Sequence, residues 1–270
     1  MSEKVEIAPV VRAPSSPRTG SARSDAIAMA IVVGALILAM EVASRYVQPF
    51  IMPSPVAVLR AFWTDLTQDT RDIAITLLRL FAALGFAMLL GVTIGVLMGT
   101  SARLRPYLRS LVVIDTGIPA LSWMLVAVFW FKEPEARIFF ILTVILLPFY
   151  AMNVYEGIRA VPKDWVDMLE SFRPSRWQVM RFLIIPQIVP YVLLTTKSLV
   201  GYATRMVIFA ELIASAVGIG ARMGLAQSTF KMEHVLAWTF FLVVFNLLAQ
   251  GLVGLVEKRL LRWRPEANVR

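Results

Sequence analysis

Six stretches of this chain are long and apolar enough to cross a membrane: 26–45, 73–100, 108–131, 137–155, 182–214 and 235–256. A helix rises 1.5 Å per residue, so about 20 residues cross a hydrocarbon layer of roughly 30 Å. The fourth run is the shortest, which leaves room for tilt or a break. One such run is compatible with a buried helix of a soluble protein. Six, with so little polar sequence between them, are not. Only 17% of the residues are charged, against about 25% in soluble domains. The expected fold is all-α: a polytopic membrane protein of six transmembrane helices.

The polar residues set the orientation. Lys and Arg gather in cytoplasmic loops. The segments 1–25, 101–110, 156–181 and 257–270 carry seventeen of them, and 46–72, 132–137 and 215–234 carry six. Both termini and the 156–181 loop are therefore expected in the cytosol. Residues 1–25 hold Pro, Ser and Arg and lack the early apolar run of a signal peptide. They read as a flexible cytoplasmic tail, ahead of a membrane domain over 26–263 and a short cytoplasmic tail over 264–270. On the opposite side, "QPFIMPSP" is extended by its prolines. Ser54 is placed to cap a helix with Pro55 in its first turn, "VAVLRAFWTDL".

Several chemistries are excluded. There is no cysteine, and the single histidine, His234, leaves no histidine cluster for a metal. No GxxxxGK[ST] phosphate loop is present, so the chain is not expected to bind a nucleotide. A net charge of +9 in a soluble protein would suggest nucleic acid. Here the charges follow the membrane topology, and no nucleic acid is expected. No Ser–His, HExxH or paired-aspartate arrangement supports an intramembrane enzyme.

The segment "VPKDWVDMLESFRPSRWQVMRFLIIP" (161–186) is a polar island between two apolar runs. Trp165, Met168, Leu169 and Phe172 recur at helical spacing and leave Asp167 and Glu170 on the polar side. Asp164 is a candidate N-cap. Pro174 breaks the chain, and Ser175 can cap a second helix entering the next span. A surface helix with an apolar anchor and a charged face suits a docked cytoplasmic partner better than a simple turn.

This island resembles the EAA loop of ATP-binding-cassette importer permeases. Asp167, Met168 and Leu169 stand at the Glu-Ala-Ala positions, Arg173 at the motif's glycine, and Ile185–Pro186 at its Ile/Leu-Pro. "SRWQVMRFLIIPQIVPYV" is similar to the nitrate/sulfonate/taurine branch. So are "MPSP" (52–55), Arg79 and Gly85, Pro119 with "FWF" (129–131), and "AELIASAVGIG" (210–220). The resemblance covers roughly 50–263. It implies the type I importer permease fold in a bacterial inner membrane. It implies a second permease subunit, with the homodimer preferred to a heterodimer. It also implies two ATP-binding subunits that carry the ATP and Mg²⁺, and an extracytoplasmic solute-binding protein. The ATPase contact would fall on Asp164, Asp167, Met168, Leu169, Glu170, Arg173, Pro174 and Arg176. Glycine at 173 would allow positive φ. With arginine there, the turn is expected to be rebuilt around Pro174, and Arg173 to pair with an acid or face solvent.

Polar groups inside spans are costly and mark a pathway or a fold-critical pair. The candidates are Glu41, Asp115, Asn153, Lys197, Arg205 and Glu211. Lys197 and Arg205 are eight residues apart and read as one cationic face, whereas Tyr202 reads as facing elsewhere. Two readings stand: an anion in transit, which fits the small anions of the resembled branch, or local pairing. In the second, Lys197 snorkels and Arg205 meets Glu211, Asp115 or a carbonyl. The family also moves heterocycles and aromatic acids, for which Trp123, Met124, Phe129, Phe149, Tyr150 and Tyr202 are candidate linings. Pro119, Pro186, Gly218 and Gly220 are expected to shape the helices. Gly91, Gly95 and Gly99 form a flat packing stripe. The reading is an importer permease for a small anion such as a sulfonate, nitrate or carboxylate. A membrane scaffold that recruits a cytoplasmic partner is the alternative.

Overall fold

A computed structural model describes residues 21–262, and all regular structure in it is helical. Of the segment read as a tail, 1–20 lies outside the described residues, as do 263–270, while 21–25 already belong to a helix. Helix α1 (Ser21–Tyr46) is followed by the short α2 (Pro55–Gln68) and the long α3 (Thr70–Thr100). Ser54 caps α2 as expected, its side chain accepting from the N–H of Ala57, with Pro55 in the first turn.

The third apolar run is not one straight span. It divides into α4 (Arg105–Gly117) and α5 (Ala120–Trp130), bent by 96° at Ile118–Pro119. Pro119 has no N–H and holds Ile118 extended at ψ 124°, so the helix stops and restarts. The fourth run, short enough to allow a break, is not broken. Helix α6 (Pro134–Arg159) continues for 26 residues through Pro148. Five single helices and this bent pair are apolar and long enough to account for six crossings.

Helix α6 is the centre of the bundle, packed mainly along α3 and then along α9 (Ile185–Ala214). Ile138, Ile141, Leu142, Leu146, Tyr150 and Val154 are fully buried on it. The glycine stripe of α3 sets the approach. A Cβ at Gly91 would fall 2.5 Å from Tyr150 Cβ, and one at Gly95 2.7 Å from the carbonyl of Ala151. The stripe therefore serves packing, as its spacing suggested. By contrast, the apolar side chains of α1 from Ile27 to Leu38 are exposed, as suits a helix facing lipid.

The polar island forms α7 (Lys163–Ser171), then α8 (Arg176–Val179), then a π-helical turn (Met180–Ile184) leading into α9. Asp164 does not cap α7. It lies inside the first turn, and Pro162 holds the cap position. Ser175 does cap α8, in a reciprocal capping box with Gln178. In the π turn Ile185 N–H reaches back five residues to the carbonyl of Met180, just before Pro186, which has no N–H to offer the ladder. Beyond α9 come α10 (Ile219–Ser228) and α11 (Met232–Leu260).

Candidate functional sites

The α7 region forms the first site. None of its residues is buried. Trp165, Met168 and Phe172 are exposed, the last to 78%, and form the apolar side of the helix. Asp167, Glu170 and Arg176 are exposed, and Leu169 and Pro174 half-buried. Arg173 differs from the expectation. The turn is not rebuilt around Pro174. Arg173 itself takes the left-handed conformation at φ +49°, its N–H bonded to the carbonyl of Glu170. Its side chain makes no salt bridge to Asp167 or Glu170. The left-handed conformation that a glycine there would allow is thus taken by an arginine, at the steric cost an L-residue bears there.

The second site is a buried polar lock near the opposite end of the bundle. Glu211, with no exposed surface, accepts from Thr76 Oγ1 at 2.8 and 2.9 Å, Arg79 Nη1 at 2.7 Å and Gly220 N–H at 2.9 Å. Arg79 also binds the carboxylate of Glu135 and the carbonyl of Val217. These bonds join α3, α6, α9 and the chain before α10. Gly218, at φ +114°, gives its N–H to Asp72 Oδ1 at 2.7 Å. Asp72 in turn binds Arg222, which also pairs with Asp69. A Cβ on Gly218 would collide with the Glu211 carboxylate, and one on Gly220 with the carbonyl of Ile208, which explains the two glycines that open α10. Arg222 lies outside the spans, and its hydrogen bond to Asp72 raises its pKa.

Of the three partners open to Arg205, it takes a carbonyl. Glu211 is held by Arg79, and Arg205 donates to the carbonyl of Gly201 at 3.2 Å in its own helix. Nor do Lys197 and Arg205 form one cationic face. Lys197 turns to α11 and pairs with Glu257 at 3.3 Å. Arg205 lies on the exposed stripe of α9 with Leu194, Ser198 and Phe209, three residues from Tyr202. An i, i+3 pair shares a helix side, so Tyr202 is its neighbour in facing as well as in sequence.

The candidate lining residues separate. Tyr150 is buried in the core, its hydroxyl 2.9 Å from Thr196 Oγ1, and Met124 is buried too. Neither faces an opening. Phe149 and Tyr202 are in ring contact at 5.6 Å between centroids. They share a small cavity with Asp115, Trp123 and the α4–α5 break. Asn153 is exposed one turn along from Phe149 and donates to its carbonyl. The Arg79–Glu211 pairing was not anticipated. Its two residues stand 132 apart, and the only signal for it was that both are charged within apolar runs.

The chain that forms this bundle matches a protein-family model. The model covers residues 73–262 and is described as the binding-protein-dependent transport system inner membrane component. The chain belongs to this family. It is a membrane permease subunit of the ATP-binding-cassette importer class, related to the taurine, nitrate and sulfonate permeases. It is 28% identical over 233 residues to the taurine transport system permease protein TauC of Escherichia coli, covering 83% of this chain and 84% of that one. It is 28% identical over 219 residues to a putative aliphatic sulfonates transport permease protein, SsuC, of Bacillus subtilis, covering 79% and 78%. Among solved structures, a chain of the inward-facing MetNI methionine ABC transporter superposes with a TM-score of 0.63 at 16% identity, over 70% of this permease and 94% of that chain. This likeness supports the type I importer permease fold.

Proposed function

We propose that this permease carries a small anionic solute inward, driven by ATP hydrolysed on a partner. The observation that carries the coupling half of the proposal is α7. It is an amphipathic helix with no buried residue, next to a π turn that joins it to a spanning helix. Exposed Trp165, Met168 and Phe172 want an apolar groove, and Asp167 and Glu170 want basic partners beside it. Two ATP-binding subunits, with their ATP and Mg²⁺, meet these needs if α7 of each of two permease copies docks on them. ATP-driven closure of the ATPase pair then moves α7, and through α8 and the π turn moves α9.

The anion follows from relatives named for taurine, nitrate, aliphatic sulfonates and bicarbonate. Arg205 supports it as an exposed guanidinium that pairs with no carboxylate among the described residues. An extracytoplasmic binding protein delivers the solute to the side carrying the 46–72 and 215–234 loops. The membrane is the bacterial inner membrane, with both termini in the cytosol. The test is ATP-driven uptake by the permease reconstituted with the ATPase and binding protein encoded beside it, screened across sulfonates, nitrate and carboxylates. ATPase turnover should rise with binding protein and solute together. Turnover indifferent to the binding protein would favour a scaffold that recruits a partner and moves nothing.

A further inference from the structure

Asp115 is an acid within the third apolar run that has no counter-ion among the described residues. Glu211 has Arg79, Glu135 has Arg79, and Glu257 has Lys197. Asp115 makes no salt bridge among the described residues. It interacts with Trp123, whose indole Nε1 is buried and makes no well-formed hydrogen bond. An ionised carboxylate at membrane depth is costly unless something pairs with it.

Its position sharpens the point. Asp115 is in the last turn of α4, two residues before the helix ends at Gly117. The final carbonyls of a helix already favour a cation, so they add to the carboxylate and do not offset it. A broken helix in a membrane is tolerated where the break is buried in protein or lines a water-filled cavity, and transporters use such ends to bind solutes. Here the break does line a cavity. It has a volume of about 90 Å³, and its walls include Asp115, Thr116, Trp123, Phe149 and Tyr202. That is smaller than the cavity of about 150 Å³ that admits benzene, so it suits an ammonium or a single N–H-bearing head better than a whole ring. Trp123, Phe149 and Tyr202 line it with aromatic rings, and such rings attract a cation that meets their faces. A larger apolar cavity of about 310 Å³ shares Asp115 and Trp123, but its remaining lining is aliphatic, so it offers the carboxylate no partner.

We infer that Asp115, with Trp123, Phe149 and Tyr202, forms a subsite within the permease for the protonated amino or N–H-bearing head of the solute. This rests on the importer reading and deepens it: the subsite lies on the wall that carries Tyr202, three residues from Arg205 on one side of α9.

The test uses saturation-transfer NMR on the full-length permease in lipid nanodiscs, with ethylammonium and ethanesulfonate as separate probes and empty nanodiscs as background. Ethylammonium should give the stronger signal. Asp115→Asn should lower it about fivefold, as expected for loss of a charge-assisted contact, and Asp115→Glu should retain most of it. Tyr202→Leu, which leaves the carboxylate in place, should lower it about two- to fivefold. An Asp115→Asn signal equal to wild type would overturn the subsite. So would a fall seen only where the permease pair has come apart in the nanodisc. ATP-driven uptake is scored separately. Working uptake with no Asp115 dependence of the ethylammonium signal sinks the subsite and spares the importer. A clear Asp115-dependent signal without uptake of any solute does the reverse.

Discussion

Arg79 on α3 and Glu211 on α9 meet at 2.7 Å inside the protein, the arginine side chain 6% exposed and the glutamate not at all. Two further donors on the glutamate, Thr76 and Gly220, make this a fully bonded buried pair. Breaking one side of such a pair leaves an uncompensated charge and costs about 3–5 kcal/mol. Arg79→Met should therefore lower the thermal midpoint of the purified permease sharply. Glu211→Gln, which still accepts from Thr76 and Gly220, should lower it less. Equal midpoints for wild type and Arg79→Met would show that the lock contributes nothing to stability.

Gly218 tests the same lock from the backbone side. Its φ of +114° is a conformation that L-residues rarely adopt, and a Cβ there would meet the Glu211 carboxylate. Gly218→Ala should displace the carboxylate or the start of α10 and reduce the yield of folded protein in detergent, measured by fluorescence-detected gel filtration. Gly85, where a Cβ meets nothing within 4 Å, is the control: Gly85→Ala should behave like wild type. A monodisperse Gly218→Ala protein at wild-type yield would refute this account of the glycine.

How much of this was legible beforehand depends on whether the property is local. The cap of α2 and the capping box of α8 follow from residues three apart, and both were visible at Ser54 and Ser175. The glycine stripe of α3 was visible for the same reason. The α4–α5 break was marked only by Pro119, read as shaping a helix; averaged hydropathy did not reveal it because it measures composition and is blind to direction. Arg79 and Glu211 were both in view, but periodicity cannot say which charges 132 residues apart will meet. Arg173 shows another limit. Sequence suggests which residue is comfortable at positive φ, and the fold can impose that φ on one that is not.

Arg205 separates transport from assembly. It lies on the exposed stripe of α9 and bonds only the carbonyl of Gly201 among the described residues, so its removal leaves no carboxylate stranded. Arg205→Leu should reduce uptake of an anionic solute by about tenfold, in line with loss of a charge-assisted contact, with complex formation intact on gel filtration. Wild-type uptake in this variant would remove Arg205 from the path.

The coupling helix makes two demands that can be tested apart. Asp167→Lys with Glu170→Lys reverses the charge of its polar side and should weaken co-purification of the ATPase subunit while leaving the permease folded. An unchanged complex would place the interface elsewhere. Arg173→Gly weighs the backbone strain against whatever the side chain contributes. Left-handed φ costs a non-glycine residue about 1–2 kcal/mol, part of which glycine returns as unfolded-state entropy. The variant should stabilise the 171–175 turn modestly, read as slower amide exchange in that turn. Faster exchange there would mean that the arginine side chain holds the turn.

The contact of Asp65 on α2 with His234 predicts a pH dependence. Asp65 Oδ1 lies 2.7 Å from His234 Nδ1, while Oδ2 is buried with no hydrogen-bond partner among the described residues. Burial raises the pKa of this carboxyl, with Asp69 adding to the rise and His234 and Arg222 opposing it. A carboxyl with a higher pKa in the folded protein holds its proton more tightly there than in the unfolded chain. Its stabilising contribution is thus present at low pH and fades as pH rises through the raised value. Asp65→Asn has no proton to lose and can still accept from the imidazole N–H. Thermal midpoints taken from pH of about 4 to about 7, above the ordinary aspartate range, should move in favour of the asparagine variant as pH rises. Parallel profiles across that window would show that Asp65 titrates alike in both states.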